Sequence, residues 1–164
     1  MKIEGSKILV TGGAGLIGST TIDQLLANEK PGEIVILDNM SRGTTRNLEN
    51  ALKDERVKLI QGDIRDKDLV YKVTEGMDAV IHMAAIRITA CAADPREAME
   101  VMNDGTFNVI DAAHKAGVKK VLAASSASIR RGTGRRSRPR PANRAGFPAP
   151  TSRRSWRAPS ATSG

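Results

Sequence analysis

An α/β fold with a doubly wound parallel sheet is predicted by three features of the first 128 residues. Short β-branched runs alternate with stretches of helical period, the boundaries fall on Gly, Pro or capping Asp, and a glycine-rich turn joins the first run directly to the first helix. Strands that alternate with helices cannot pair as hairpins, so each must return by a crossover and lie parallel to the last.

Lys7–Thr11 (KILVT) reads as a buried strand, and Leu16, Ile17, Ile22, Leu25 and Leu26 then recur at helical spacing until Pro31 and Gly32. Glu33–Asp38 (EIVILD) is the second strand. A polar connection with a short helix near Asn47–Lys53 leads to the third, Val57–Gln61. Asp66 is placed to cap a helix through Leu69, Val70 and Val73 that Gly76 ends. Ala79–Met83 is the fourth strand. Asp94-Pro95-Arg96-Glu97 then opens a helix carrying Met99, Met102, Phe107, Val109, Ile110 and Ala113, with Gly117 at its end. Lys120–Ala124 is the fifth strand. Right-handed crossovers give the strand order 3-2-1-4-5, a Rossmann-type sheet stopping after about five strands.

The pattern ends after Ser128, which sets the expected organisation as an ordered domain over 1–128 and a tail over 129–164. Of the tail's 36 residues, 32 are Arg, Pro, Ser, Ala, Gly or Thr, a composition too poor in apolar surface to offset ordering entropy. Charge divides at the same place. The 16 Lys and Arg of residues 1–128 face 18 Asp and Glu, whereas the tail carries ten Arg and no acid. The formal charge of +8 therefore belongs to the tail, and a mildly acidic domain argues against nucleic acid as its partner. No run reaches the roughly 18 apolar residues of a membrane span, and a single cysteine, Cys91, suits a reducing cytoplasm. His82, Cys91 and His114 are scattered and make no metal cluster. His82 reads as a packed strand residue and His114 as a solvated helix residue.

The chemistry begins at Thr11–Gly18 (TGGAGLIG). Gly12, Gly15 and Gly18 satisfy G-x-x-G-x-x-G, in which one glycine allows a tight turn, one lets backbone approach a pyrophosphate, and one permits close helix packing. Phosphates then meet the N–H groups of Leu16, Ile17 and Gly18 at the positive end of the helix. Asp38 ends the second strand 20 residues after Gly18, where a carboxylate accepts from ribose hydroxyls and repels a 2′-phosphate. Together they point to NAD rather than NADP, with Arg42 close enough to weaken that exclusion.

The run TGGAGLIG…LDN…QGDIRD…HMAA…GTFNVIDAA…KAGVKKVLAASSAS resembles the NAD-dependent epimerase/dehydratase family of extended short-chain dehydrogenases/reductases over about residues 5–129. The resemblance implies NAD as cofactor, a nucleotide sugar as substrate and a homodimer as an allowed assembly of the whole enzyme, and the single cysteine sets the expected location as cytoplasmic. The resemblance also implies roles. Asn39 follows the ribose acid, Asp63 and Ile64 grip adenine through carboxylate and backbone N–H, and Met83, Ala84 and Ala85 line the cofactor. Arg87 falls where relatives place a lysine near the nicotinamide ribose, and Ser126 matches the serine that hydrogen-bonds the reacting hydroxyl. Each has a structural alternative: Asp63 can cap a turn, and Ser126 can satisfy a strand end.

Two departures stand out. An asparagine that relatives place three residues before Gly-Thr is Met102 here, with Asn103 one later, a shift of about 100° around a helix. Gly105 in a helix interior costs about 1 kcal/mol against Ala, which close packing against the sheet or a cofactor would explain. More consequentially, the family's Tyr-x-x-x-Lys is absent. There the lysine lowers the tyrosine pKa and the phenolate takes the sugar-hydroxyl proton as hydride moves to NAD. The one tyrosine, Tyr71, is followed four residues later by Glu75. The chain is therefore expected to hold NAD without epimerase turnover.

The tail has two readings. Arg, Pro, Ala, Gly and Ser without Lys or acids is what GC-rich coding DNA yields out of frame, so a frameshift near codon 130, natural or introduced in sequencing, accounts for it. A nucleic-acid-binding extension using the arginines with Phe147 and Trp156 is the alternative. Resequencing the gene separates them: the frameshift reading predicts family-like codons in another frame beyond codon 130, and a confirmed single frame with none would contradict it.

Overall fold

The computed structural model describes residues 2–125. Five parallel strands form its sheet: β1 (Lys7–Thr11), β2 (Glu33–Asp38), β3 (Val57–Gln61), β4 (Ala79–His82) and β5 (Lys120–Ala123). Their order is β3-β2-β1-β4-β5, as the crossover rule predicts. Leu9 stands level with Val35 of β2 on one side and Val80 of β4 on the other. Both faces of the inner strands are buried, which is why they read as unbroken apolar runs.

Alternate residues feed two cores. Ile8, Val10, Ile34, Ile36 and Ile81 pack with Ile22 of α1 (Leu16–Asn28) and with Leu48. Leu9, Val35, Leu37 and Val80 pack on the other face with Val70 and Val73 of α2 (Lys67–Thr74) and with Val109 and Ala113 of α5 (Thr106–Lys115). Asp66 caps α2, its carboxylate accepting from the Leu69 N–H at 3.1 Å. Gly76 follows that helix at φ +71°, in the left-handed conformation that lets the chain turn out of it.

Several local expectations need correction. The connection after β2 holds two 3₁₀ turns, Thr45–Leu48 and Ala51–Lys53, rather than one short helix. An unpredicted helix, α3 (Ile88–Ala93), follows β4; none of its residues is buried, so it carries no apolar stripe to read. The long helix begins as α4 (Pro95–Met99), with the Asp94 carboxylate accepting from the N–H groups of Arg96 and Glu97. It then widens into a π segment, Glu100–Gly105, before α5. Leu16 and Ile17 are 77% and 69% exposed, because they lie on the face of α1 opposite the buried Gly18, Ser19 and Ile22. Met99, Met102, Phe107 and Ile110 also face outward.

His82 is a packed strand residue, as expected. Its Nδ1 lies 2.6 Å from the Thr11 hydroxyl and its Nε2 3.1 Å from the Thr106 hydroxyl, so one ring ties β1 and β4 to the start of α5. Burial pushes its pKa below the ordinary 6.5. The unfolded chain therefore binds the proton more readily, and this part of the stability is complete above pH 6.5 and is lost as pH falls below it. Thermal unfolding between pH 7 and 5 should show Tm falling with pH, with a shallower slope for His82→Gln. An identical slope in the variant would contradict this origin.

Candidate functional site

β1 and β4 stay paired to their last residues, Thr11 beside His82, and the connections beyond them part, because the chain runs outward from β1 through β2 and β3 and returns to the other side of β1. In open α/β sheets this switch point opens a crevice at the carboxyl ends of the strands. Here the crevice is a cleft of about 710 Å³. Gly12, Gly15, Leu16, Ile17, Gly18, Asp38, Asn39, Asp63, Ile64, Met83, Ala84, Ala85 and Arg87 all border it. The sheet thus brings together every predicted cofactor residue. Ser126 lies outside the described residues.

The three glycines separate by physical role. Gly12 has φ +70°, and a Cβ on it would stand 2.6 Å from the Ala84 backbone nitrogen, so only glycine lets the loop lie against the segment after β4. A Cβ on Gly18 would meet the Gly12 carbonyl oxygen at 2.4 Å, which fixes how closely α1 seats on the loop. Gly15 differs from both. Its φ of −72° suits any residue, and a Cβ would approach nothing nearer than the Gly12 oxygen at 3.3 Å. That contact is tight but needs a shift of only a few tenths of an ångström, so the chain's own packing demands glycine at this cleft-lining position less than at Gly12 or Gly18.

α1 begins at Gly15 without a side-chain cap and without an acid in its first turn. α2 and α4 each have both. The N–H groups of a first helical turn have no partner within the helix, so this end offers donors to an anion. Beyond it, Asp38 is only 8% exposed. Its Oδ2 accepts from the Ala14 N–H and its Oδ1 from the Met40 N–H, both at 2.9 Å. Asp38 therefore latches the glycine loop as well as bordering the cleft. Each oxygen keeps a lone pair for a further donor.

Asp63 accepts from Arg65 and from the Asn39 amide, and its carboxyl is held down to about 2, chiefly by the Arg65 side chain. Next to it, the Ile64 N–H has no hydrogen-bond partner among the described residues. The Ile64 side chain occupies the space left by Gly105, where a Cβ would lie 2.7 Å from its Cδ1. This contact answers the question posed by a glycine inside a helix. Neither Met102 nor Asn103 borders the cleft; Glu97 and Val101 face it from that helix. Ser41, Arg42, Gly43 and Asn47 also line it. Of these, Asn47 donates to the Ala14 carbonyl at 2.8 Å, a long-range bond with no local signature.

The one tyrosine is elsewhere. Tyr71 on α2 donates to the Asp111 carboxylate, and Lys115 Nζ lies 3.0 Å from its hydroxyl, so this Tyr–Lys pair joins α2 to α5 away from the cleft.

A parallel 3-2-1-4-5 sheet with a glycine loop and an uncapped helix start defines a Rossmann-type domain. The chain belongs to the 3-beta hydroxysteroid dehydrogenase/isomerase family, whose model matches residues 9–135. Among the curated proteins it is similar to are nucleotide-sugar epimerases and dehydratases. It is 39% identical over 129 residues to a UDP-glucose 4-epimerase of Mycolicibacterium smegmatis, covering 77% of this chain and 41% of that one. A UDP-glucose 4-epimerase of Klebsiella pneumoniae is 36% identical over 128 residues, 75% of this chain and 91% of that one. Among solved structures, the dTDP-glucose 4,6-dehydratase DesIV of Streptomyces venezuelae, with NAD and TYD bound, superposes with a TM-score of 0.67. It shares 36% identity over 70% of this chain and 38% of that one. The chain spans about two fifths of the length of the first curated relatives it matches.

The glycine assignments predict unequal losses of stability. In urea unfolding, Gly18→Ala should lose about 1–3 kcal/mol through the backbone overlap. Gly15→Ala, whose Cβ meets only the Gly12 oxygen at 3.3 Å, should lose less than about 1 kcal/mol. Equal losses would contradict the distinction.

Proposed function

We propose that this chain holds NAD in the cleft, as the cofactor-binding portion of a nucleotide-sugar epimerase or dehydratase. The observation that carries the reading is the convergence of all the expected cofactor residues on one cleft at the switch point of the sheet. The donor set fits the dinucleotide. The pyrophosphate is assigned to the Leu16, Ile17 and Gly18 N–H groups, with Gly15 leaving room for it. Asp38 and Asn39 take the adenosine ribose, Asp63 and Ile64 the adenine, and Arg87 with Met83, Ala84 and Ala85 the nicotinamide half. NAD supplies a hydride acceptor for a sugar carbon.

What the chain's own residues do is bind and orient. The Asp38 carboxylate selects against a 2′-phosphate, and the loop–helix seating fixes where the phosphates rest. Ser126 is assigned a supporting hydrogen bond to the reacting hydroxyl. The sequence has no Tyr-x-x-x-Lys to move the proton, so no epimerase turnover is proposed for this chain. Nucleotide sugars are the substrates proposed for the whole enzyme, in a reducing cytoplasm, and a second copy of that enzyme is the proposed partner.

Calorimetric titration tests the reading. NAD should bind, NADP at least about tenfold more weakly, a difference of about 1.4 kcal/mol, and folded Gly15→Ala should lose most of the affinity. Absence of NAD binding, or a preference for NADP, would contradict the proposal; so would UDP-sugar epimerisation by the purified 164-residue chain, for the claim on turnover.

A further inference from the structure

Three of the four residues from Gly12 to Gly15 are glycine, the residue that loses most conformational freedom when it is ordered. The exception, Ala14, is fully buried, and both of its backbone polar groups are held from outside the loop. Its N–H donates to Asp38 Oδ2. Its carbonyl accepts from Asn47 Nδ2 at 2.8 Å and from the Thr44 N–H at 3.3 Å. That carbonyl shares a peptide plane with the Gly15 N–H, which donates to the Gly12 carbonyl at 3.2 Å. The peptide that leads into α1 is therefore pinned at both ends. One group further on, the Gly15 carbonyl accepts from the Ser19 N–H at 2.9 Å, and the helix's own ladder begins.

Asn47 reaches this peptide from 33 residues along the chain. It stands on the 3₁₀ turn Thr45–Leu48, but its amide is not spent there: the turn has no side-chain cap, and the Asn47 backbone N–H closes it on the Thr44 carbonyl at 3.0 Å. The turn itself is firmly seated. Leu48 is fully buried in the same cluster as Ala14 and Ile22 of α1. A Cβ on Gly43 would stand 2.5 Å from the Ala14 Cβ, so the segment that leads to the turn lies directly on the loop. A short side chain on an anchored turn thus meets the one loop carbonyl next to the helix start.

We propose that Asn47 is a positioning residue for the pyrophosphate, fixing the plane of the Ala14–Gly15 peptide and through it the aim of the Leu16, Ile17 and Gly18 N–H groups. The inference rests on the NAD reading and adds a side chain that acts through the loop backbone. Asp38 holds the peptide on the other side of Ala14, so loss of the Asn47 amide loosens one peptide without releasing the loop. The Thr44 N–H that remains is a longer bond. A peptide free to rock passes its ordering cost to the ligand, and the cost falls on whatever needs the helix start, the phosphates first.

Asn47→Leu keeps much of the side chain's shape and removes the donor. In calorimetry on the full chain it should weaken NAD binding about tenfold. Adenosine, which has no phosphate, should bind the wild type and the variant within about twofold of each other when followed by amide shifts. In the free variant, ¹⁵N relaxation dispersion should show exchange on the Gly15, Leu16 and Ile17 amides that the wild type lacks and that saturating NAD removes. A residue that merely braced the fold would lower Tm, weaken both ligands alike and leave those amides quiet. If Asn47→Leu does not fold, Asn47→Ala carries the same comparison. A folded variant that binds NAD as tightly as the wild type, or whose loop amides show no exchange, overturns the inference and leaves the NAD reading standing. A wild type that binds no NAD overturns both.

Discussion

Gly12 is the position on which the cleft depends. Two requirements meet there: a left-handed backbone, and contact so close that a Cβ would sit 2.6–2.7 Å from the backbone of Met83 and Ala84. Either alone favours glycine; together they exclude every other residue. The Gly12 N–H is itself spent on the Leu37 carbonyl of β2, so the loop is tied to one neighbour strand while it rests on the continuation of the other. The carbonyl oxygen of Gly12 then serves as the surface on which Gly18 seats α1. The direction of the helix, and the position of its donor-rich end, follow from one residue's lack of a side chain.

Around this loop the side chains form latches. Asp38 reaches back from the end of β2 to the Ala14 N–H, and Asn47 holds the Ala14 carbonyl from the next segment. Met40 sits at φ +60°, uncommon for a residue with a side chain. The Asp38 carboxylate binds its N–H, and the Asn39 amide oxygen binds the next, that of Ser41, at 3.0 Å. Local strain of this kind persists where surrounding contacts over-determine it, and it recurs at ligand clamps. This end of the cleft is thus set before any ligand arrives, which reduces the ordering cost of binding.

The strands were legible because a parallel sheet buries both faces and leaves a plain apolar run, and because crossover handedness leaves few strand orders. The cleft residues were legible because they fall at fixed places relative to strand ends: glycines after β1, Asp38 at the end of β2, Asp63 after β3, Met83 after β4. Helix α3 was not, since Ile88–Ala93 buries no residue and so shows no period. Nor was the exposure of Leu16, Ile17 and Phe107: periodicity reports that residues are apolar, not what covers them. The Arg65 bond to Asp63 and the Asn47 bond to Ala14 were beyond reach for another reason. Such contacts depend on side-chain direction, which spacing along the chain does not encode.

The central claim is that the uncapped start of α1 and the Ile64 N–H are donors held ready for NAD. The most direct measurement is an amide-resolved NMR titration of the full chain with NAD. The account predicts that the largest shifts fall on the Leu16, Ile17, Gly18 and Ile64 amides, saturating together. Binding that leaves those four amides unmoved, with the shifts gathered elsewhere on the domain, would contradict it.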